Sequence, residues 1–180
     1  IGPIIYYFMF VIVTFKSNII TCQKKLFTKR KCNIVFPSEI NSSWLNDTNK
    51  PLLDKPRILY IGRLKIEKGI FSLTKILSEL GLDFELSIVG DGDNKFNKQD
   101  FKNKKFIFYP SQNETSSLIK FYDNHNIFIL PSYTEAHPKV VDEALARLRP
   151  IVIFQEIDHI IQNRKGIFVS NREAKSLLTT

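Results

Sequence analysis

From residue 57 onward, short apolar runs recur along the chain, at 57–61, 84–89, 105–109, 127–130, 150–154 and 167–169. Each is rich in Ile, Leu, Val or Phe and is bounded by Gly, Pro, Asp, Asn or Lys. They are too short for helices and apolar at consecutive positions, so they read as strands buried on both faces. Between them the apolar residues fall at three- and four-residue spacing, which predicts helices near 70–80, 114–124, 138–147 and 157–163. In the first of these the apolar positions are 70, 73, 76, 77 and 80, with Gly81 as a stop. Residues 91–104 are polar and lysine-rich, with at most a short helix around 96–101. Strands alternating with helices predict an α/β fold of the Rossmann-like kind, a doubly wound parallel sheet covered on both faces.

The first fifty residues follow a different pattern. Residues 4–15 form a twelve-residue apolar run, short of the ~18–20 needed to span a bilayer. No basic stretch precedes it, so it does not read as a signal peptide. The first choice is a buried strand or helix from a preceding domain, and the second a membrane-interface helix. The chain opens on Ile1 rather than Met, which points to sequence upstream. Short strands are expected near 18–21 and 33–36, around a basic stretch at 24–31, and Pro51 and Pro56 bracket a linker. The expected division is therefore 1–50 as the remnant of an N-terminal domain with its connector, and 51–180 as the Rossmann-like domain, incomplete at its C-terminal end.

A chain of 180 residues that is 43% hydrophobic can bury a core. Its net charge of +8 suits an anionic partner, whether nucleic acid, membrane or phosphorylated ligand. No nucleic-acid signature accompanies the charge and the lysines are scattered, so no nucleic acid is expected. A peripheral contact with a cytoplasmic membrane face is the functional reading of the charge. Cys22 and Cys32 lack metal-ligand spacing and read as reduced thiols of a cytoplasmic protein.

Candidate chemistry gathers at the predicted strand ends. After 57–61 comes Gly62-Arg63-Leu64-Lys65-Ile66-Glu67-Lys68-Gly69. Here Arg63 offers a planar fork of donors and Lys68 a mobile point charge, a sensible phosphate clamp. It is not a Walker A loop, because Lys68-Gly69 is followed by Ile70. After 84–89, Gly90-Asp91-Gly92 lacks the third glycine of a dinucleotide fingerprint and reads as a tight turn. After 105–109 stands Tyr109-Pro110-Ser111. After 127–130, Glu135 lies in a loop, Pro138 is expected as the first helical residue, and Glu143 lies about a turn and a half into the helix on the face of Lys139 and Val140. The helix start is an anion seat. Two carboxylates flanking an anion seat suit a ligand with both phosphates and hydroxyls, such as a sugar nucleotide. Doubly wound sheets bind ligands beyond the carboxyl ends of their strands, and every one of these motifs lies there.

The pair Glu135 and Glu143, with Glu-Ala-Leu-Ala at 143–146 and Arg-Pro-Ile-Val-Ile at 149–153, resembles the E-x7-E signature of retaining glycosyltransferases of the GT-B fold, group 4. The segment from Gly62 to Gly69 resembles that family's diphosphate-binding turn, and Val89-Gly90-Asp91-Gly92 its Val-Gly-x-Gly turn. The likeness covers residues 57–170, and weakly 17–45, or half of a typical member. It implies the C-terminal, nucleotide-binding domain of a GT-B enzyme, with the remnant at 1–50 belonging to the acceptor domain. Glu135 would be catalytic, at the donor sugar's hydroxyls or its developing cationic face. Arg63, Lys68, Ala136, His137, Lys139 and Val140 would bind the donor diphosphate, and Glu143 the ribose. Gly62, Gly90 and Tyr109 would border the base, with Tyr109 either stacking on it or packing under the loop. The implied reaction moves a hexosyl group from a UDP- or GDP-type donor to a cell-surface glycan or lipid-linked acceptor, as in polysaccharide or lipopolysaccharide biosynthesis. No cofactor and no metal are implied. A one-domain piece would not turn over alone, since acceptor and donor meet between two domains. A non-catalytic nucleotide-binding module, or another GT-B-like sugar-nucleotide enzyme, is the alternative. Two departures stand out: Glu135-Ala136-His137-Pro138 replaces the family's Glu-Gly-Phe/Met-Pro, and Leu148 replaces the glycine after the helix.

Overall fold

The computed structural model describes residues 2–15, 17–21, 32–35, 38–52, 54–92 and 105–180. The chain divides into two compact units, Ile1–Ser38 and Glu39–Thr180. In the first, helix α1 (Gly2–Thr14) is followed by β1 (Ile19–Thr21) and β2 (Cys32–Ile34), which pair in parallel. The apolar run is thus a helix, and Ile5, Tyr7, Phe8, Met9 and Ile12 are exposed on it. No described helix is long and apolar enough to cross a membrane.

The second unit opens with α2 (Ser42–Leu45), capped by the Asn41 side chain. Strands and helices then follow in the order β3 (Arg57–Ile61), α3 (Ile70–Glu79), β4 (Glu85–Val89), β5 (Phe106–Tyr109), α4 (Thr115–Asn124), β6 (Ile127–Leu130), α5 (Lys139–Ala146), β7 (Ile151–Phe154), β8 (Ile167–Ser170) and α6 (Ala174–Thr179). The six strands of the main sheet lie in the order β5-β4-β3-β6-β7-β8, all parallel. Chain order reverses between β3 and β6, which makes their carboxyl ends the topological switch point of a doubly wound sheet. Period-two alternation assigns side chains to two cores. Ile58, Tyr60, Ile88 and Ile129 pack with Ile70, Leu73 and Leu77 of α3 on one face. Leu59, Phe128, Leu130, Ile151 and Ile153 pack with Tyr122 of α4 and Val141 and Ala144 of α5 on the other.

Several expectations shift. The compact unit begins at Glu39 rather than residue 51, because Trp44 is 3% exposed and edge-on to Tyr122 at 5.8 Å. The helix expected at 157–163 is a 3-10 helix over Gln155–Ile160, kinked where Ile157 leaves helical φ/ψ. Pro138 is the N-cap of α5 rather than its first residue. The expected helix at 96–101 and the basic stretch 24–31 lie outside the described residues. Leu148 takes a left-handed φ of 59°, with Leu148 N–H bonded to Leu145 and Arg149 N–H to Ala144. This is a Schellman end to α5 with leucine at the position where glycine carries no strain.

Candidate functional site

Beyond the carboxyl ends of β3 and β6 lies a cavity of about 210 Å³ whose lining includes Gly62, Arg63, Lys68, Glu135, Lys139 and Val140. A second, of about 350 Å³, opens over the ends of β3 and β4 and is lined by Gly62, Arg63, Gly90, Asp91, Ser111 and Gln112, among others. The two share Ile61, Gly62 and Arg63 in their lining and so lie side by side at the switch point.

Backbone packing sets the floor of these two cavities. Gly62 N–H donates to the Val89 carbonyl at 3.0 Å and Leu64 N–H to the Asp91 carbonyl at 2.8 Å, carrying the β3–β4 ladder past the strand ends. Gly90 has a φ of 149°, and a Cβ there would stand 2.0 Å from the Gly62 carbonyl oxygen. Only glycine permits that approach. The Tyr60 hydroxyl, its pKa pushed up by burial, donates to the Arg63 carbonyl at 2.9 Å. The Arg63 side chain is exposed. Next, a 3-10 turn at Ile66–Lys68 ends in Gly69 at a φ of 69°. A Cβ on Gly69 would lie 1.9 Å from the Pro131 carbonyl oxygen. The turn after β3 is therefore pressed against the loop after β6, and Lys68 meets Glu135.

That meeting is close. Lys68 Nζ donates to Glu135 Oε1 at 2.6 Å, and the Ser132 hydroxyl donates to the same oxygen at 2.7 Å. His159 Nε2 lies 2.8 Å from the Glu135 carbonyl. Arg172 braces the loop from β8: its guanidinium stacks on Tyr133 at 4.1 Å and on Phe154 at 4.4 Å, and it donates to Glu156 at 2.8 Å. Sequence reasoning missed Tyr60, Ser132, His159 and Arg172. Ser132 lies beside the recognised loop, but nothing local marks the other three, which reach it only through the fold.

At the start of α5, Lys139 and Val140 line the smaller cavity, and Lys139 also pairs with Glu39. His137 turns away, with Nε2 3.1 Å from Asp142, which takes a second contact from Arg164 at 3.2 Å. The His137 side chain is 4% exposed, so it is neither solvated nor among the cavity-lining residues. Ala136 is exposed and also outside the lining. Tyr109 packs edge-on to Phe121 at 4.9 Å; Ser111 and Gln112 line the cavity where a stacking role was considered for it. Asp91 and Asp93 stand in an Asp-x-Asp spacing; Asp91 accepts from the Ser111 hydroxyl, and Asp93 lies outside the described residues.

Glu143 sits one turn on from Lys139 and accepts from the Tyr122 hydroxyl at 2.9 Å. Burial pushes its carboxyl above the ordinary 4.5, Glu39 and Asp142 add to the rise, and Tyr122 and Lys139 oppose it. A carboxyl raised on folding contributes stability below its unfolded pKa and loses it as pH rises through the folded one. Glu143→Gln keeps an acceptor for Tyr122 and removes the costly charge. It should melt above wild type at pH 7, with the gap closing below about pH 4. Thermal melts at both pH values check this, and a lower melting temperature at pH 7 would contradict it.

With this geometry in place, residues 44–179 match the family described as Glycosyl transferases group 1, and the chain belongs to that family. It is 33% identical over 158 residues, 82% of this chain and 43% of the relative, to an uncharacterized glycosyltransferase of Haemophilus influenzae. It is 28% identical over 144 residues, 72% of this chain and 36% of the relative, to the capsular polysaccharide biosynthesis glycosyltransferase CapM of Staphylococcus aureus. Among solved structures, it is similar to the apo form of the lipopolysaccharide outer core galactosyltransferase WaaB. That match has 26% identity and a TM-score of 0.53, over 61% of this chain and 34% of the other. The chain spans less than half the length of these relatives.

Proposed function

We propose that residues 39–180 form the donor-binding domain of a retaining glycosyltransferase, that residues 1–38 belong to the preceding acceptor domain, and that the reaction transfers a hexosyl group from a nucleotide-sugar donor. One observation carries this reading: Arg63, Lys68, the start of α5 and Glu135 converge on one cavity at the switch point. In this reading Arg63, Lys68 and the first N–H groups of α5 hold the diphosphate. Negative charge builds on that group as the bond to the sugar breaks, and donors already in place stabilise it without reorganisation. Glu135 faces the sugar and Glu143 the ribose hydroxyls. Gly62 and Gly90 let the nucleotide approach the backbone, and Ser111 and Gln112 border the base. The charge is neutralised by the chain's own cations, and the reading calls for no cofactor or metal.

The likeness to CapM and WaaB supports a glycan or lipid-linked acceptor of the cell surface. The net charge of +8 supports a cytoplasmic protein in peripheral contact with an anionic inner membrane face. An amide NMR titration of the chain with UDP and GDP tests the placement of the donor. Shifts are expected at Gly62, Arg63, Lys139 and Val140. An apolar cavity of about 420 Å³ lies among Ile58, Leu80, Phe84, Ile129 and Val152. Shifts confined to those residues, or no shifts, would contradict the reading.

A further inference from the structure

We propose that Glu135 holds Lys68 in the donor-free protein as an internal stand-in for phosphate, so that Lys68 engages a diphosphate only by giving up Glu135. This rests on the donor-site reading above. Lys68 is placed there as a phosphate-binding cation, yet its ammonium is already spent on a carboxylate 2.6 Å away. The pair is drawn partly out of water, with the Lys68 side chain 19% exposed and that of Glu135 10%, where a charge-assisted bond is stronger than on an open surface. Among the described residues, Lys68 Nζ and the Ser132 hydroxyl both donate to the same oxygen, Oε1. A diphosphate arriving at Lys68 places negative charge beside that carboxylate, and like charges at a shared cation repel. Arg63 carries no such burden: its guanidinium makes no ion pair among the described residues.

The pair therefore weighs differently on two ligands. A nucleoside diphosphate must displace Glu135 and gains nothing from it. A nucleotide sugar displaces it too, then offers hydroxyls for the freed carboxylate to accept from. Glu135 thus acts as a discriminator that favours the donor over the spent nucleotide and helps the product leave.

Calorimetric titration of the whole chain with UDP and GDP tests this through a gain of affinity. Glu135→Gln should bind the nucleoside diphosphate about fivefold more tightly than wild type, the scale of one lost charge–charge competition. Glu135→Ala should show the same direction if glutamine disturbs the loop. In a Lys68→Ala background the gain from Glu135→Gln should fall below about twofold, since the coupling belongs to the pair. Unchanged or weaker binding by both Glu135 variants, with wild type binding normally, overturns the stand-in and leaves the donor site intact. An equal gain with and without Lys68 reduces the effect to simple repulsion and also overturns it. Absence of binding in every protein overturns the donor-site reading and this inference together.

Discussion

Arg147→Leu is expected to destabilise the second unit by about 3–5 kcal/mol, the usual cost of breaking one side of a buried ion pair. Arg147 is 1% exposed, and all five of its N–H donors are used. Nε and Nη2 meet the two Asp123 oxygens at 2.9 and 2.7 Å. Nη1 donates to the carbonyls of Trp44 and Asn46 at 3.0 and 2.7 Å, and Nη2 to that of Asp47 at 3.0 Å. Leucine would leave those carbonyls without the guanidinium and, among the described residues, leave Asp123 with Arg149 alone, at 3.6 Å. Lysine would not rescue it, because a point charge cannot reproduce the fork. The effect bears on the site as well, since this clasp ties residues 44–47 to the end of the helix whose start lines the cavity. Trp44 is the single tryptophan of the chain and lies against the clasp, so urea unfolding followed by its fluorescence reads the loss directly. A midpoint moved down with the slope unchanged is expected. A loss below about 1 kcal/mol would show that the clasp is dispensable.

Strands β3 through β7 were readable because each is a short apolar run buried or half-buried on both faces, a pattern that no amphipathic element imitates. Strand β8 was readable from its apolar run although Phe168 and Val169 are exposed. The strand ends could therefore be lined up on one edge, and the residues that line the cavities there, Gly62, Arg63, Lys68, Gly90, Glu135, Lys139 and Val140, were legible from spacing and resemblance together. What stayed hidden depends on long-range contact. Arg172 reaches the Glu135 loop by stacking on Tyr133 and Phe154, and Tyr122 reaches Glu143 from another helix; neither leaves a local signature. His137 looked available beside the anion seat, but Asp142, five residues on in the same loop–helix segment, claims it. The four-residue helix α2 carries too few apolar positions to show a period, so residues 39–50 were assigned to the N-terminal remnant and its connector rather than to the second unit. The 3-10 helix at 155–160 follows β7 without a break, and its apolar residues Ile157 and Ile160 are spaced as an α-helix would space them.

Arg63 is the residue on which the nucleotide reading depends most. Its backbone is pinned, because Tyr60 holds its carbonyl and the Gly62 and Leu64 N–H groups on either side are bonded to the next strand. Its guanidinium is exposed and makes no ion pair among the described residues. Among the described residues it thus has no partner to abandon when a diphosphate arrives, unlike Lys68. A hydrogen bond to a charged group is worth roughly 1.5–3 kcal/mol, so Arg63→Ala should weaken nucleoside diphosphate binding about 10- to 100-fold. It should leave the unfolding midpoint near that of wild type, because no described residue forms an ion pair with the exposed side chain. Titration calorimetry of UDP and GDP into the wild-type chain and into Arg63→Ala is the most direct test of the switch-point donor site. The account predicts saturable one-site binding in wild type and a 10- to 100-fold loss in the variant. Equal affinity in the two proteins, or no binding in wild type, would contradict it.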